Sequence, residues 1–344
     1  MSNVKTIGIL GSGTWGVALA RLLQRNGHQV TVWSKFQAEV DALNTTRVHP
    51  NLPGLTISDD IAFTSDMRTA CQEKDILLFA VPSVFVRSTA ALAAAFIPDG
   101  QIIVDVAKGI EPDTLLTMTE VIRDELCKDG SHENVKLVAL SGPTHAEEVA
   151  LDMPTGCLAA CEDQALAEFV QDAFMSEYFR IYTSSDPVGA ELGAALKNVI
   201  ALCAGVCDGL GAGDNTKAML MTRGLTEIAR LGVAMGAHKD TFAGLTGVGD
   251  LIVTCTSMHS RNRRAGILIG QGKDVQEAMK EVGAVVEGYY AAKSAWALAQ
   301  KMGVEMPITE AAYKVLYEGL SAKDMTHQLL NRSKKAESED AGWL

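Results

Sequence analysis

The sequence has few charged residues, and those that it has are mainly acidic. Charged residues make up 21% of the 344 positions, and the formal net charge at pH 7 is -12. A surface that binds nucleic acid needs a basic face, and no cluster of lysine and arginine in this sequence is long enough to provide one. The composition therefore predicts no nucleic-acid partner. It also makes any local group of cations informative about anionic ligands.

Long hydrophobic runs and paired cysteines are missing as well. No segment has the roughly 18 consecutive apolar residues of a membrane span, and residues 1–6 do not resemble a secretory signal. The seven cysteines form an odd set without a CxxC pair, which is typical of reduced thiols. Cys203 and Cys207 would share a helix face, but no nearby histidine completes a zinc site. We therefore expect a cytoplasmic protein with neither a membrane span nor a bound metal.

What the sequence does have is a glycine triplet near its start, between an apolar run and an alanine-rich helical pattern. Gly11 would allow a tight turn, Gly13 would let the backbone approach a pyrophosphate, and Gly16 would let the helix pack against the strand. The phosphates would bind the free N–H groups at the start of that helix. The residues that we expect to contact a dinucleotide here are Gly11, Ser12, Gly13, Thr14, Trp15 and Gly16.

The sequence after the next strand bears on the choice of cofactor. Asn26-Gly27 would end the first helix, and residues 29–33 would form a second strand, as a βαβ unit requires. An acidic residue after that strand would bind the ribose 2′-hydroxyl of NAD and repel a 2′-phosphate, but Ser34 and Lys35 stand there instead. We therefore expect NADP to be accepted and preferred, with NAD also usable. Alternatively, Lys35 is an ordinary solvated lysine.

The pattern along the chain indicates the fold class. Strands and helices alternate up to about residue 185, and long helical stretches rich in Ala, Gly, Met and Leu follow. This order predicts an α/β fold with a doubly wound, mainly parallel Rossmann-type sheet and an all-helical C-terminal domain. We predict a dinucleotide-binding domain over residues 1–186, a helical substrate-binding and catalytic domain over 187–332, and a polar tail over 333–344.

The strongest catalytic candidate is Lys197, on a helix predicted for residues 187–206. It is the only long side chain on a stripe of small residues along that helix. Burial there, together with a nearby Lys108, would lower the pKa of the Lys197 amine towards neutrality. Such an amine can exchange a proton with a carbonyl or an alcohol during hydride transfer. Alternatively, its stem packs while its ammonium group reaches water.

Other polar residues are expected around the same cleft. The loops after parallel strands open at one edge of the sheet, so residues 81–83, Lys108 and residues 142–144 should line one crevice. Asp250 and Thr254 lie one helical turn apart, where they would contact Lys197 or the substrate, unless Asp250 is only a helix-terminal charge. The neighbouring Asn198 would orient a substrate only if the cleft extended around that side of the helix.

A short basic segment supplies the candidate phosphate site. Ser260, Arg261 and Asn262 combine a planar guanidinium fork with two short donors, and Arg263 and Arg264 follow. This set suits a phosphate group, and it is conspicuous in an otherwise acidic chain. The alternative is a solvated basic turn.

Together these motifs resemble one family, the NAD(P)-dependent glycerol-3-phosphate dehydrogenases of the bacterial type. The resemblance covers residues 5 to about 319, and eight motifs in order make it specific. They are Gly11-Ser12-Gly13-Thr14-Trp15-Gly16, Ala107-Lys108-Gly109-Ile110-Glu111, Ser141-Gly142-Pro143, Leu196-Lys197-Asn198-Val199, residues 211–223 with Gly213-Asp214-Asn215, Gly247-Val248-Gly249-Asp250-Leu251, Ser260-Arg261-Asn262-Arg263 and Val286-Glu287-Gly288.

The resemblance implies a cytoplasmic enzyme, a homodimer, that reduces dihydroxyacetone phosphate to sn-glycerol 3-phosphate and so supplies glycerophospholipid synthesis. By matched position, Lys197 is the proton donor and acceptor. The implied substrate contacts are Lys108, Gly142, Thr144, Asp250, Ser260, Arg261 and Asn262, and the implied cofactor contacts beyond the glycine loop are Lys108, Ala146, Arg261, Val285 and Glu287.

Three departures from the family pattern bear on affinity. Thr144-His145 stands where the family commonly has serine and an aromatic residue, Thr246 replaces a common alanine, and Tyr290 replaces a usual threonine. None removes a proposed donor or base. Two other functions remain as alternatives: a related hydroxyacid dehydrogenase, whose carboxylate substrate would not need the basic segment, and a non-catalytic NADP sensor, which would not need the lysines.

Overall fold

The computed structural model describes residues 4–337, so the ends of the chain, including the last seven residues of the predicted tail, lie outside the described residues. An eight-stranded sheet fills the first half in the order β3-β2-β1-β4-β5-β6-β7-β8. Its neighbours are parallel except β6 and β7, which run antiparallel. The strands are β1 (Thr6–Leu10), β2 (Gln29–Trp33), β3 (Ile61–Thr64), β4 (Ile76–Phe79), β5 (Ile102–Asp105), β6 (Lys136–Ser141), β7 (Thr155–Ala160) and β8 (Phe179–Ser184).

Helices cover both faces of this sheet and then form the whole second half. The helices of the first half are α1 (Thr14–Arg25), α2 (Gln37–Thr46), α3 (Met67–Cys71), α4 (Val86–Ala93), α5 (Met118–Leu126), α6 (Ala146–Val149) and α7 (Gln164–Phe174). Those of the second half are α8 (Pro187–Gly209), α9 (Asp214–Ala234), α10 (Asp250–Thr256), α11 (Arg261–Gly270), α12 (Val275–Val282), α13 (Glu287–Met302), α14 (Pro307–Tyr317) and α15 (Ala322–Leu330).

The sheet forms because its central strands are apolar on both faces. In β1, Ile7 and Ile9 point to one face and Leu10 to the other, since side chains alternate along a strand. The two faces belong to different buried clusters, each closed by its own layer of helices. This two-sided burial is typical of parallel sheets, and it confirms the predicted fold class.

The long helix α8 is the centre of the helical half. It begins with Pro187 at its first position, and the carboxylate of Asp186 accepts a hydrogen bond from the N–H of Gly189 at 2.8 Å. In the described part of the chain α8 is the one helix with the length and apolarity of a membrane span, but 94% of its most apolar window is buried within the fold. Its apolar surface therefore packs against protein.

The small residues of α8 have a packing role that explains their spacing. A Cβ at Gly205 would lie 2.1 Å from the carbonyl oxygen of Arg263, and one at Gly193 would lie 2.6 Å from that of Thr246. Gly266 of α11 is equally restricted, because its Cβ would lie 2.0 Å from the carbonyl oxygen of Leu202. Backbone therefore packs directly on backbone along α8. The helix also runs to Gly209, three residues beyond the predicted end, because this close packing continues there.

Candidate active site

The glycine loop between β1 and α1 has the geometry that a dinucleotide needs. Gly11 has a φ of +123°, which favours glycine, and a Cβ there would lie 2.6 Å from the carbonyl oxygen of Ala80. A Cβ at Gly16 would lie 2.0 Å from the carbonyl oxygen of Gly11, so only glycine lets α1 pack this closely on the loop. Gly13, by contrast, has no atom within 4 Å of its Cβ position, which leaves open space where a pyrophosphate would bind. Gly11 and Gly16 thus have the turn and packing geometry predicted for them, and the open space at Gly13 would admit the cofactor.

Lys197 lies in the middle of α8 and contacts the two residues predicted to be near it. Its Nζ donates hydrogen bonds to Asp250 Oδ1 at 2.6 Å and to Thr254 Oγ1 at 2.5 Å. Asp250 begins α10, and Thr254 follows one turn later, with its hydroxyl also donating to the carbonyl oxygen of Asp250 at 2.6 Å. The Lys197 side chain is only 7% exposed and that of Asp250 only 1%. The ammonium group does not reach water by extending its stem, so the alternative of a solvated lysine is wrong.

Lys108 comes to the same carboxylate from the sheet. It follows β5, and its Nζ donates to Asp250 Oδ2 at 2.8 Å and to the carbonyl oxygen of Gly142 at 2.8 Å. A longer contact of 3.3 Å joins the same Nζ to Thr144 Oγ1. The loops after β5 and β6 therefore meet α10 in one cleft, as their positions at the carboxyl ends of the strands predicted.

The pKa values of Lys197 and Asp250 are both lowered, for different reasons. Burial lowers the pKa of Lys197 to about 8, and the neighbouring charge of Lys108 adds to that effect while Asp250 opposes it. Burial alone would raise the pKa of Asp250, but the two ammonium groups outweigh burial and hold it below the ordinary value. Asp250 is therefore ionised at neutral pH, and Lys197 releases its proton at a lower pH than an ordinary lysine. These are the properties of a proton donor held beside a fixed anion.

The predicted phosphate segment is at the N-terminus of α11. Ser260 caps this helix, its Oγ accepting a hydrogen bond from the N–H of Arg263 at 3.2 Å, and Arg261 is exposed. Arg263 is engaged elsewhere, because its Nε donates to Asp208 Oδ2 at 2.8 Å. Arg261 is thus exposed at the start of the helix, where free N–H groups also favour anions.

Asn198 and Asn262 join this segment to α8. Asn262 Nδ2 donates to Asn198 Oδ1 at 2.9 Å, and Asn262 Oδ1 accepts from the N–H of Gly288 at 2.8 Å. Asn198 Nδ2 donates to the carbonyl oxygen of Ala194 at 3.4 Å. The amides thus connect α8, α11 and the start of α13. Since an amide nitrogen carries two hydrogens, Asn262 keeps one donor for a ligand.

Glu287, at the start of α13, connects the helical half to the sheet. Its carboxylate accepts hydrogen bonds from the N–H and the hydroxyl of Ser83, in the turn after β4. Burial raises the pKa of Glu287, and Ser83 and Arg261 only partly counter this. The partly buried Val285 precedes it, and Ala146 is buried at the start of α6. The Ser83–Glu287 contact joins residues 204 positions apart, and sequence spacing alone does not predict it.

One charged residue of this site was missed by the sequence reasoning. The exposed Lys35 follows β2 as expected, but Glu39, in the first turn of α2, directs its carboxylate back to Ser12 and Ser34. The rule used on the sequence looks for an acidic residue directly after the strand. Here it comes six residues after Trp33, and the signal that could have found it is an acidic first helical turn.

A separate cavity of about 460 Å³ lies within the helical half. It is lined by α8, α9, α14 and α15 and contains none of the predicted site residues; Cys203 and Cys207 contribute to its wall. Among residues 4–337, no three His, Cys, Asp or Glu side chains are arranged to hold a metal ion.

Family models and known proteins match this chain over nearly its whole length. The family model for the N-terminus of NAD-dependent glycerol-3-phosphate dehydrogenase matches residues 6–167, and the model for its C-terminus matches residues 186–327. A glycerol-3-phosphate dehydrogenase [NAD(P)+] of Lactobacillus delbrueckii subsp. bulgaricus is 62% identical over 331 residues, covering 96% of this chain and 98% of the relative. One from Agathobacter rectalis is 51% identical, covering 98% of this chain and 99% of the relative.

The fold agrees with a solved structure as well. The crystal structure of glycerol-3-phosphate dehydrogenase from Coxiella burnetii superposes with a TM-score of 0.90 at 34% sequence identity. The match covers 96% of this chain and 99% of that one.

Proposed function

The chain belongs to the NAD-dependent glycerol-3-phosphate dehydrogenase family, and from this membership we propose that the cleft holding Lys108 and Lys197 is its active site. The reaction is the NAD(P)H-dependent, reversible reduction of dihydroxyacetone phosphate to sn-glycerol 3-phosphate. We therefore drop the two alternative functions, a related hydroxyacid dehydrogenase and a non-catalytic NADP sensor.

In the proposed mechanism the side chains of the cleft control one proton. The glycine loop would hold a nicotinamide dinucleotide, which would supply the hydride for the carbonyl carbon. The carbonyl oxygen must gain a proton for the alcohol to form. Lys197 donates that proton from Nζ and stabilises the negative charge that develops on the oxygen. In the reverse direction the neutral amine accepts it. The observation that supports this role most is the placement of one buried amine between a carboxylate and a hydroxyl, both within 2.6 Å.

The other site residues position the amine and the substrate. Asp250 holds Lys197 and Lys108 at a fixed separation, and Thr254 fixes the direction of the Lys197 amine. Arg261, Ser260 and the free N–H of Asn262 bind the substrate phosphate at the start of α11. Gly142, Thr144 and Asn198 shape the wall next to the lysines, and Ala146, Val285, Glu287 and Arg261 border the cofactor. Binding energy from the phosphate would orient the ketone in the cleft beside Lys197.

A spectrophotometric assay tests this function. Purified protein should oxidise NADH or NADPH in the presence of dihydroxyacetone phosphate, followed by the loss of absorbance of the reduced cofactor. Dihydroxyacetone without the phosphate is the matched control substrate and should be turned over far more slowly. Equal use of both ketones, or no use of either, would contradict the proposal.

The acidity of Lys197 predicts opposite pH profiles for the two directions. Reduction needs the protonated amine, so kcat/KM should fall as the pH rises through about 8. Oxidation needs the neutral amine, so kcat/KM should rise up to the same pH and then level off. Since kcat/KM reports the free enzyme, both profiles should share one midpoint. Cofactor affinity, measured over the same range, should show no such transition; profiles that run in the same direction would rule out the proton role.

Arg261→Ala should mainly weaken the binding of the phosphorylated substrate. Loss of a charge-assisted contact of this kind is expected to raise the KM for dihydroxyacetone phosphate by about tenfold or more, with a smaller change in kcat. Arg264→Ala is the matched control, because Arg264 is exposed on the same helix and is assigned no ligand contact. An unchanged KM in Arg261→Ala would remove the phosphate assignment.

We also propose that the enzyme is a cytoplasmic homodimer that supplies glycerophospholipid synthesis. The family resemblance is what supports this. Size-exclusion chromatography with light scattering should give a mass near twice 36.6 kDa, and a monomer at micromolar concentration would contradict the dimer.

A further inference from the structure

The carboxylate of Glu39 lies between the glycine loop and the segment that follows β2. Its Oε2 accepts a hydrogen bond from Ser12 Oγ at 2.8 Å and another from Ser34 Oγ. Ser12 belongs to the glycine loop, and Ser34 directly follows β2. In a βαβ dinucleotide site the adenosine ribose binds between these two segments. Glu39 therefore places a negative charge where the 2′ position of that ribose will be.

The other oxygen of this carboxylate is available to a ligand. Both hydrogen bonds to this carboxylate use Oε2, and within residues 4–337 no donor contacts Oε1. The side chain is partly exposed, so a bound molecule can reach it. Two hydroxyl donors on Oε2 hold the carboxylate in one orientation with Oε1 directed away from them.

Nearby cationic side chains only partly offset the negative charge of Glu39. His49 is buried next to Glu39, and burial lowers the pKa of its imidazole, so it is neutral at pH 7. Lys35 is exposed after β2. A solvated lysine attracts a phosphate weakly, whereas Glu39 is held in place by two hydrogen bonds.

We propose that Glu39 sets the cofactor selectivity of this enzyme in favour of NADH. Its Oε1 accepts a hydrogen bond from the ribose 2′-hydroxyl of NADH, and its charge repels the 2′-phosphate of NADPH. This inference rests on the proposed cofactor site. It assigns a specificity role to a residue in the first turn of α2, beyond the position directly after the strand. Lys35 acts in the opposite direction, which explains why NADPH is still accepted.

The test compares wild type with Glu39→Gln, which keeps the size of the side chain and removes its charge. Values of kcat/KM for NADH and NADPH are measured with saturating dihydroxyacetone phosphate at low ionic strength. Wild type should use NADH about tenfold more efficiently than NADPH, as expected for one unscreened like-charge contact near a protein surface. Glu39→Gln should improve kcat/KM for NADPH by about tenfold and change that for NADH less than about threefold.

Two further variants separate a local effect from a general change in charge. Asp41→Asn is the matched control, because Asp41 is an exposed carboxylate on the same helix that accepts a hydrogen bond from Gln37 at 2.7 Å. It should leave the NADPH-to-NADH ratio as in wild type. Lys35→Gln should lower kcat/KM for NADPH and spare NADH. Direct titration of each cofactor without substrate gives Kd values, which report selectivity even if the assignment of catalysis is wrong.

If a folded Glu39→Gln variant kept the wild-type NADPH-to-NADH ratios of Kd and of kcat/KM, the proposal would be overturned. A wild-type enzyme that prefers NADPH would also overturn it. Should Glu39→Gln fail to fold, Ser34→Ala tests the same idea. It removes one of the donors that orient the carboxylate, so it should relax the ratio in the same direction by about threefold. A Ser34→Ala variant with the wild-type ratio would then contradict the role of Glu39.

Discussion

Replacing Lys197 with alanine should lower kcat for reduction of dihydroxyacetone phosphate by about 10³- to 10⁴-fold, the range of a proton donor that also stabilises developing charge. The Kd of NADH should stay within about threefold, because the glycine loop and the residues after β2 do not contact this amine. Stopped-flow measurement of hydride transfer gives the first quantity, and fluorescence titration gives the second.

Two companion variants define what the amine does. Lys197→Arg keeps a positive charge but cannot release a proton near neutrality, so it should stay inactive. Lys293→Ala removes an exposed lysine on α13 and should behave as wild type. Partial recovery of Lys197→Ala by added ethylamine would identify the missing group as an amine. Turnover like that of wild type in Lys197→Ala would end the assignment.

Replacing Asp250 should damage both stability and catalysis. Asp250→Ala leaves two ammonium groups, on side chains that are 7% and 17% exposed, without their shared carboxylate. Removing one member of a buried charge network typically costs about 3 kcal/mol or more, although Lys197 can limit this cost by releasing its proton. Urea unfolding should therefore show a lower free energy of unfolding. Asp240→Ala, which removes an exposed aspartate of the same half, is the control.

The conservative Asp250→Asn variant keeps the shape of the side chain and removes its negative charge. Without the carboxylate the protonated amine is less favoured, so the midpoint of the kcat/KM profile should move below the value of about 8. In wild type the pKa of Asp250 is lowered by the lysines, so its contribution to stability is present above the unfolded pKa of about 3.9 and is lost as the pH falls below it. The stability difference from Asp250→Asn should shrink over that acidic range. A midpoint that does not move would show that Asp250 does not control the amine.

The parts of this molecule that depend on local sequence were predictable. The glycine loop, the C-terminal cap at Asn26-Gly27 and the second strand all follow from short-range rules, and the structure places them as expected. The low pKa of Lys197 also followed, because a stripe of small neighbours implies burial. The antiparallel pairing of β6 and β7 did not, since strand direction is decided by packing and not by the residues of the strand.

Long-range contacts set the limit of the sequence reasoning. Asp250 contacts lysines 53 and 142 positions away, and motif spacing can suggest that these residues share a cleft but not that one carboxylate binds both. Glu39 was missed because it lies 27 positions after Ser12 in the sequence. The first turn of α2 directs its side chain back to the glycine loop. In both cases the fold decides which atoms meet, and local sequence does not specify those contacts.

The backbone contact between α8 and α11 has a consequence for which molecules the enzyme can turn over. Because the backbones of the two helices pack directly on each other at Gly205 and Gly266, this packing sets the distance between the amine on one helix and the proposed phosphate site on the other. This distance would select substrates by the length of the carbon chain between the phosphate and the carbonyl group. A ketone one carbon longer would still anchor its phosphate, but its carbonyl would overshoot the lysine, so homologous sugar phosphates should occupy the cleft as inhibitors.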